Sequence, residues 1–451
     1  MPAKIRLSEK IGYGLGDMAS SMFWKLFGTY LLFFYTDIFG ITAIAAGTMF
    51  LITRIWDTLL DPVVGLIADR TQTRWGKFRP YILYTAVPFG IIGVLTFTVP
   101  NLSGPNKLIY AYATYTLMMV VYSVINVPYA SLLGVITPNP NERNILASYR
   151  MAFAFSGSLF ALAIIEPLVS YFGKKEISLQ HSWQYAVIII ALICVALFIG
   201  CFLLVKERVR DAGQRRSTFK EDINDLLKNR PWWILLGAGI FALIFNSIRD
   251  GATIYYFKYF VYDSKAIELK NIVLTLSTLY LITGQAANII GVISASAISN
   301  KIGKKKTYAT AMICSTVLSI LFYWIGREHI ITIFVFQFLI SFWAGIVFPL
   351  LWSMYADIAD YSSIKTGRRA TGLIFSSSSM SQKLGWAIGG ALTGWLLGLF
   401  GFKANIAQSL HAQSGIRLML SFIPAAGAFI SFIFILLYPL NEKVLAAFKK
   451  Q

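Results

Sequence analysis

Asp57 and Asp61 stand four residues apart inside an apolar run, ThrArgIleTrpAspThrLeuLeuAspPro, at 53–62. A carboxylate near the centre of a bilayer costs roughly 2.5–3.5 kcal/mol on insertion scales. It persists there by facing protein or a water-filled cleft. On a helix, positions i and i+4 share a face, about 6 Å apart at the side-chain bases. Two carboxylates so close cannot both ionise cheaply, so they share a proton or hold a monovalent cation. That is a coupling-ion site in outline, and it points to transport. The competing reading is that the two acids pair with Arg54 or Lys383 and merely hold helices together.

The rest of the chain fits a membrane setting. Of its 451 residues 57% are hydrophobic and 14% charged, with a mean hydropathy of +0.64, more apolar surface than a soluble core needs. The net charge of +19 raises the question of nucleic acid. Its distribution answers it: twenty-six of the forty Lys and Arg fall in tails and loops of one side, six in loops of the other and eight inside spans. This is the positive-inside bias of a polytopic protein, and no nucleic-acid partner is expected. Cys194, Cys201 and Cys314 all lie in apolar segments and form neither a disulfide framework nor a zinc site. The short polar N-terminus carries no cleavable signal, so the first span would direct insertion.

Twelve apolar segments are long enough to span, at roughly 12–36, 43–68, 80–100, 107–134, 144–170, 183–205, 231–262, 271–298, 307–326, 330–356, 371–400 and 414–438. A hydrophilic stretch, 206–230, separates the sixth from the seventh, and its PheLysGluAspIleAsnAspLeuLeuLys run predicts a short amphipathic helix. The organisation is therefore an N-terminal six-helix bundle over 1–205, a cytoplasmic middle loop over 206–230 and a C-terminal six-helix bundle over 231–451. An even span count puts both termini on the cytoplasmic side. The halves echo each other: ArgTrpGlyLysPheArgPro (74–80) follows the second span and AsnLysIleGlyLysLysLys (300–306) the eighth. Repeats with a six-span period are how many carriers build two bundles around a central site.

With these motifs assembled, the chain resembles the major facilitator superfamily, and within it the glycoside–pentoside–hexuronide:cation symporters, the melibiose-permease group. The stretches that carry the likeness are GlyTyrGlyLeuGlyAsp (12–17), PheTyrThrAspIlePheGly (34–40), ArgIleTrpAspThrLeuLeuAspPro (54–62), ArgTrpGlyLysPheArgPro (74–80), AsnValProTyr (126–129), AlaAspIleAlaAspTyr (356–361) and LysThrGlyArgArg (365–369). The pattern looks closest to members that carry xylosides. The resemblance implies an all-α polytopic membrane protein of major facilitator fold, with 12 transmembrane helices in two pseudo-symmetric six-helix bundles.

It also implies roles for residues. The cation would sit at Asp57 and Asp61, helped by the hydroxyls of Ser123 and Ser379. An amide found beside the second carboxylate in the family is Leu60 here. Sodium wants several oxygen ligands and a proton needs one carboxylate, so a proton is expected over sodium; were sodium the ion, Asp57 and Asp61 would be its ligands. Asp17 maps onto the sugar-hydroxyl acceptor, with Tyr122, Asn126 and Arg150 beside it. Arg150 would clamp hydroxyls and keep Asp17 ionised. A stacking tryptophan of the family is replaced by Ala130, while Phe348 and Trp352, on one face, are the expected sugar platforms. Lys383 matches the family's intramembrane lysine and would neutralise the second-span acids when the cation is absent. Lys25 and Arg249 are extra to the family pattern; together they would bind the carboxylate of a uronic acid.

The function expected is coupled uptake of a xyloside-like or hexuronide glycoside by a monomer in the inner membrane, with no cofactor. Two alternatives stand beside it. A lysolipid-type carrier of the same fold would need a lateral apolar opening, and the polar cluster at Asp17 argues against one. A polytopic membrane enzyme would need a catalytic histidine or metal cluster, whereas His181, His329 and His411 have no ligand spacing.

Overall fold

A computed structural model of the chain describes residues 5–208, 226–262, 267–269, 272–366 and 371–440. The predicted helix in the middle loop lies mostly outside these residues. Two compact units result, Met1–Gly213 with Ser264–Leu279, and Gln214–Asp263 with Tyr280–Gln451.

In the first unit α1 (Leu7–Thr29) runs through a short α2 (Leu31–Phe33) into a π-helical stretch, Phe34–Phe39, stopped by Gly40 at φ +88°. Then follow α3 (Ala43–Arg70), α4 (Arg79–Thr96), α5 (Gly104–Ile136), α6 (Pro140–Gly173) and α7 (Leu179–Leu204). The second unit holds α8 (Arg230–Tyr256), continued by a π-helical stretch at Phe257–Val261, most of α9 (Leu276–Ile302), then α10 (Lys304–Phe322), α11 (Ile330–Thr366), α12 (Thr371–Leu399), α13 (Leu410–Leu420) and α14 (Phe422–Leu437). Side-chain caps start several of them: Thr42, Ser178, Asn229 and Ser409 accept the backbone N–H of Ala45, His181, Trp232 and Ala412. Each cap satisfies a donor the helix cannot satisfy itself.

Among the described residues, eight helical segments are long and apolar enough to cross a membrane by length and composition. Two that fall short, α1 and α3, carry Asp17 and Lys25, and Arg54, Asp57 and Asp61, so it is their charge that lowers their hydropathy. In α3 the apolar Ile52, Ile55, Trp56, Leu59, Val63 and Leu66 are exposed, while Arg54 and Asp57 are buried on the opposite face. Helical spacing thus gives the outside of α3 to apolar side chains and the inside to charge.

The sixfold echo is visible in the packing. In the first unit α1 lies against α6 and α7, and α4 against α5 and α7; in the second, α8 lies against α12 and α14, and α10 against α11 and α14. Counted as spans, each contact recurs six spans later. The two basic turns also match: each reverses at a glycine in the left-handed region, Gly76 at φ +114° and Gly303 at φ +88°, where a Cβ would be strained. The carboxylate of Glu207 then accepts the N–H groups of Lys77, Phe78 and Arg79 at 2.8, 2.8 and 2.9 Å, capping α4.

One departure concerns the eighth span. It starts at Leu276, not 271, because Ile267–Leu269 (β1) and Ile272–Leu274 (β2) pair as an antiparallel hairpin with Ile267 opposite Leu274. β-branched residues in two three-residue runs favour the extended chain there.

Candidate functional site

Two side-chain clusters in the first unit meet along α5. In one, the Ser123 hydroxyl on α5 lies against both acids of α3, 2.7 Å from Asp61 Oδ1 and in short contact with Asp57 Oδ1. Asp57 and Ser123 are buried and Asp61 is half-buried. A serine hydroxyl has one proton to donate. Both contacts are hydrogen bonds at once only when one carboxyl carries a proton and gives it to Oγ. Pro62 follows directly, and its missing N–H leaves the Thr58 carbonyl without its helical donor.

In the second cluster Arg150 on α6 donates from Nε to Asp17 Oδ2 at 3.0 Å, and its guanidinium lies 5.4 Å from the Tyr129 ring centroid. Tyr129 stacks on Tyr13 at 4.9 Å and donates to the Tyr13 carbonyl at 2.5 Å. A Cβ at Gly16 would collide with the Tyr129 ring, which is why the GlyTyrGlyLeuGlyAsp run has glycine there. Ser20 donates to Asn126 Oδ1 at 2.8 Å, and Asn126 Nδ2 donates to the Tyr122 carbonyl at 3.0 Å. The amide is thereby fixed in one orientation.

Arg54 and Trp24 join the clusters, and neither was among the expected site residues. The Arg54 guanidinium sits 4.1 Å from the Trp24 ring centroid and donates from Nε to Tyr115 at 3.0 Å; Trp24 in turn lies 5.4 Å from Tyr122. The signal was present in the spacing, since Arg54 is three residues before Asp57 and shares its face.

Lys25 is half-buried on α1. In the second unit Phe348 and Trp352 are half-buried one turn apart on α11, flanking Pro349, and Lys383 is half-buried on α12. The Ser379 side chain lies outside the described residues.

Arg249, expected with Lys25 to bind a uronic-acid carboxylate, makes these contacts within the second unit: Nη1 donates to the Leu420 carbonyl, and Nη2 to Tyr280 and Gln337 at 3.0 and 2.8 Å. The reason is Pro424, which lacks the N–H that would continue the helix onto Leu420. The last span therefore breaks at Ser421 into α13 and α14, and Arg249 supplies the lost donor. In this structure it braces the break in the last span. Arg249→Gln should lower unfolding stability by about 3 kcal/mol, the cost of stripping charge-assisted bonds from a buried site. Thermal melts in detergent check this, and affinities for neutral and anionic glycosides should move together.

Comparison with known proteins shows the family and the fold. A sequence profile described as MFS/sugar transport protein matches residues 12–442. The isoprimeverose transporter of Lactiplantibacillus pentosus is 36% identical, the match covering 96% of this chain and 89% of that protein. Inner membrane symporter YicJ of Escherichia coli (strain K12) is also 36% identical, over 93% of this chain and 89% of its own. Among solved structures, a bacterial homologue of the human lysosomal transporter Spinster, inward-facing and unoccupied, superposes with a TM-score of 0.71 at 12% identity, covering 98% of this chain and 97% of the other. That likeness shows the fold. The family and these relatives are transporters and not enzymes, and the apolar helices make this an integral, multi-pass membrane protein. The chain belongs to the MFS/sugar transport protein family.

Proposed function

We propose that the chain is a symporter that takes up a neutral, xyloside-type glycoside together with one proton by alternating access. It acts as a monomer, in an inner membrane with both termini cytoplasmic. The observation that carries the coupling is the single Ser123 hydroxyl set between Asp57 and Asp61, an arrangement suited to a pair that shares one proton. A proton needs only one of these carboxylates, and Leu60 adds no oxygen that would build the set toward sodium.

The names symporter and isoprimeverose transporter among relatives support a glycoside as cargo. A neutral sugar is favoured over a uronide because Arg249 is committed to Leu420, Tyr280 and Gln337. The basic excess on one side supports the orientation.

In proteoliposomes, adding xyloside should alkalinise the side from which sugar enters, in sodium-free buffer, with one proton moved per sugar. Sugar entry that stops without sodium, or moves no protons, ends the proton assignment.

A further inference from the structure

A groove runs along the outer side of α5, wholly within the first unit and away from both clusters. It holds about 660 Å³, a size at which cavities take small molecules. Two neighbouring i, i+4 rows of the helix form it. One row passes from Leu108 through Tyr112 and Thr116 to Val120, and the other through Ala113, whose single methyl keeps the floor low. The Thr116 hydroxyl is engaged by Thr53 Oγ1 on α3 at 3.4 Å, which leaves its methyl for the lining. Ile109, also in the lining, is 64% exposed, so the groove opens to the lipid side of this membrane protein.

Its length and its outer end identify what it fits. From Leu108 to Val120 the helix rises about 18 Å, close to one leaflet of a hydrocarbon core about 30 Å thick. Directly before Leu108 stands Lys107, the first residue of the predicted fourth span. Its Nζ donates to the Phe39 carbonyl at 3.2 Å and lies 5.8 Å from the Phe39 ring centroid. That ring stacks on Tyr110 at 6.2 Å, and Tyr110 donates to the Leu95 carbonyl at 2.9 Å. The end of α4 and the π-helical stretch thus fix the ammonium at the mouth of the groove. Phe39 takes one of its three N–H groups, and among the described residues no carboxylate pairs with it. A fixed, uncompensated positive charge therefore stands one leaflet above the inner end of an apolar channel.

We propose that this groove is a site for one anionic phospholipid, with an acyl chain along α5 and the phosphate on Lys107. A thin, flexible chain touches the floor and both walls at once, and those dispersion contacts add. A second copy of the protein suits it less. A helix is about 10 Å across, and helices associate in lipid where small residues let backbones approach, whereas Tyr112 and Leu108 wall this channel. The lysine adds the preference for a negative headgroup, about fivefold for one basic residue at the surface.

Native mass spectrometry of the purified chain, titrated with phosphatidylglycerol or phosphatidylethanolamine of matched acyl chains, tests the site. The first phosphatidylglycerol should bind about fivefold more tightly than the first phosphatidylethanolamine. Lys107→Gln should bring that ratio to one, and Lys107→Arg should keep it. Ala113→Trp fills the floor and should weaken both lipids at least about tenfold, since a lifted chain loses many contacts; Ala113→Leu should act in the same direction. Ala113 is exposed, so the melting temperature of either variant should hold. A headgroup preference that survives Lys107→Gln overturns the proposal, as does a first lipid held equally well by both Ala113 variants. A dimer that Ala113→Trp splits while lipid retention stays unchanged assigns the groove to a second copy and overturns it too. No sugar enters these measurements, so their outcome is separate from that of the transport reading.

Discussion

Asp61→Asn should abolish accumulation of sugar against a gradient while leaving exchange of labelled for unlabelled sugar. An asparagine is a permanent imitation of the protonated acid: Ser123 can donate to Asp57 and accept from the amide, so the pair is satisfied without any ion. A satisfied pair allows the unit to close, and the carrier still moves. What it loses is the obligation to take up and release a proton on each cycle. Moving one charge down 100 mV supplies about 2.3 kcal/mol, which at about 1.4 kcal/mol per tenfold sustains roughly 50-fold accumulation. In the variant that ratio should fall to one, and sugar-driven proton flux should vanish with it. Asp61 is the member to change because it is half-buried while Asp57 has no exposed surface, so water reaches Asp61 first. Concentrative uptake that survives Asp61→Asn would remove the second-helix acids from the coupling mechanism.

The acids stood out because a membrane leaves few explanations for charge in apolar runs, where Asp57, Asp61, Asp17 and Arg150 each cost too much to be accidental; Ser123 and the roles of Asp17 and Arg150 came from the family resemblance. Twelve spans followed from segment length for the same reason, since only closed hydrogen bonding survives in lipid. Arg249 met the same criterion, but the partner it has in the fold was not legible. Its partner is a backbone carbonyl, and carbonyls carry no mark in a sequence. Pro424 was the available sign, because a proline in mid-span orphans the carbonyl four residues back and something must bond Leu420. The Trp24–Arg54 contact was hidden differently. Cation–π stacking has no fixed spacing between two helices, so only the fold could bring α1 and α3 together there. The hairpin before α9 was lost because three-residue strands are too short to show alternation.

Asp17→Asn should weaken sugar binding about 100-fold, the largest loss of affinity expected from one isosteric change in this protein. A carboxylate can accept from two vicinal hydroxyls at once, with each charge-assisted bond worth about 1.5–3 kcal/mol; an amide offers a single acceptor oxygen, so about 3 kcal/mol goes, or two decades in Kd. The rival account makes Asp17 only the counter-ion that keeps Arg150 in place. Arg150 is well placed to survive the change, since its side chain is 32% exposed and its guanidinium also lies by the Tyr129 ring. Water and the ring can share the charge, and the melting temperature should move little. Arg150→Lys separates the accounts further: it keeps the charge beside Asp17 but loses the planar fork. If Arg150 itself clamps a hydroxyl, Lys should cost about tenfold in affinity at unchanged stability. If Asp17 is a strut, isothermal titration of the purified asparagine variant will show wild-type affinity in a less stable protein, and the sugar site must then be sought away from α1.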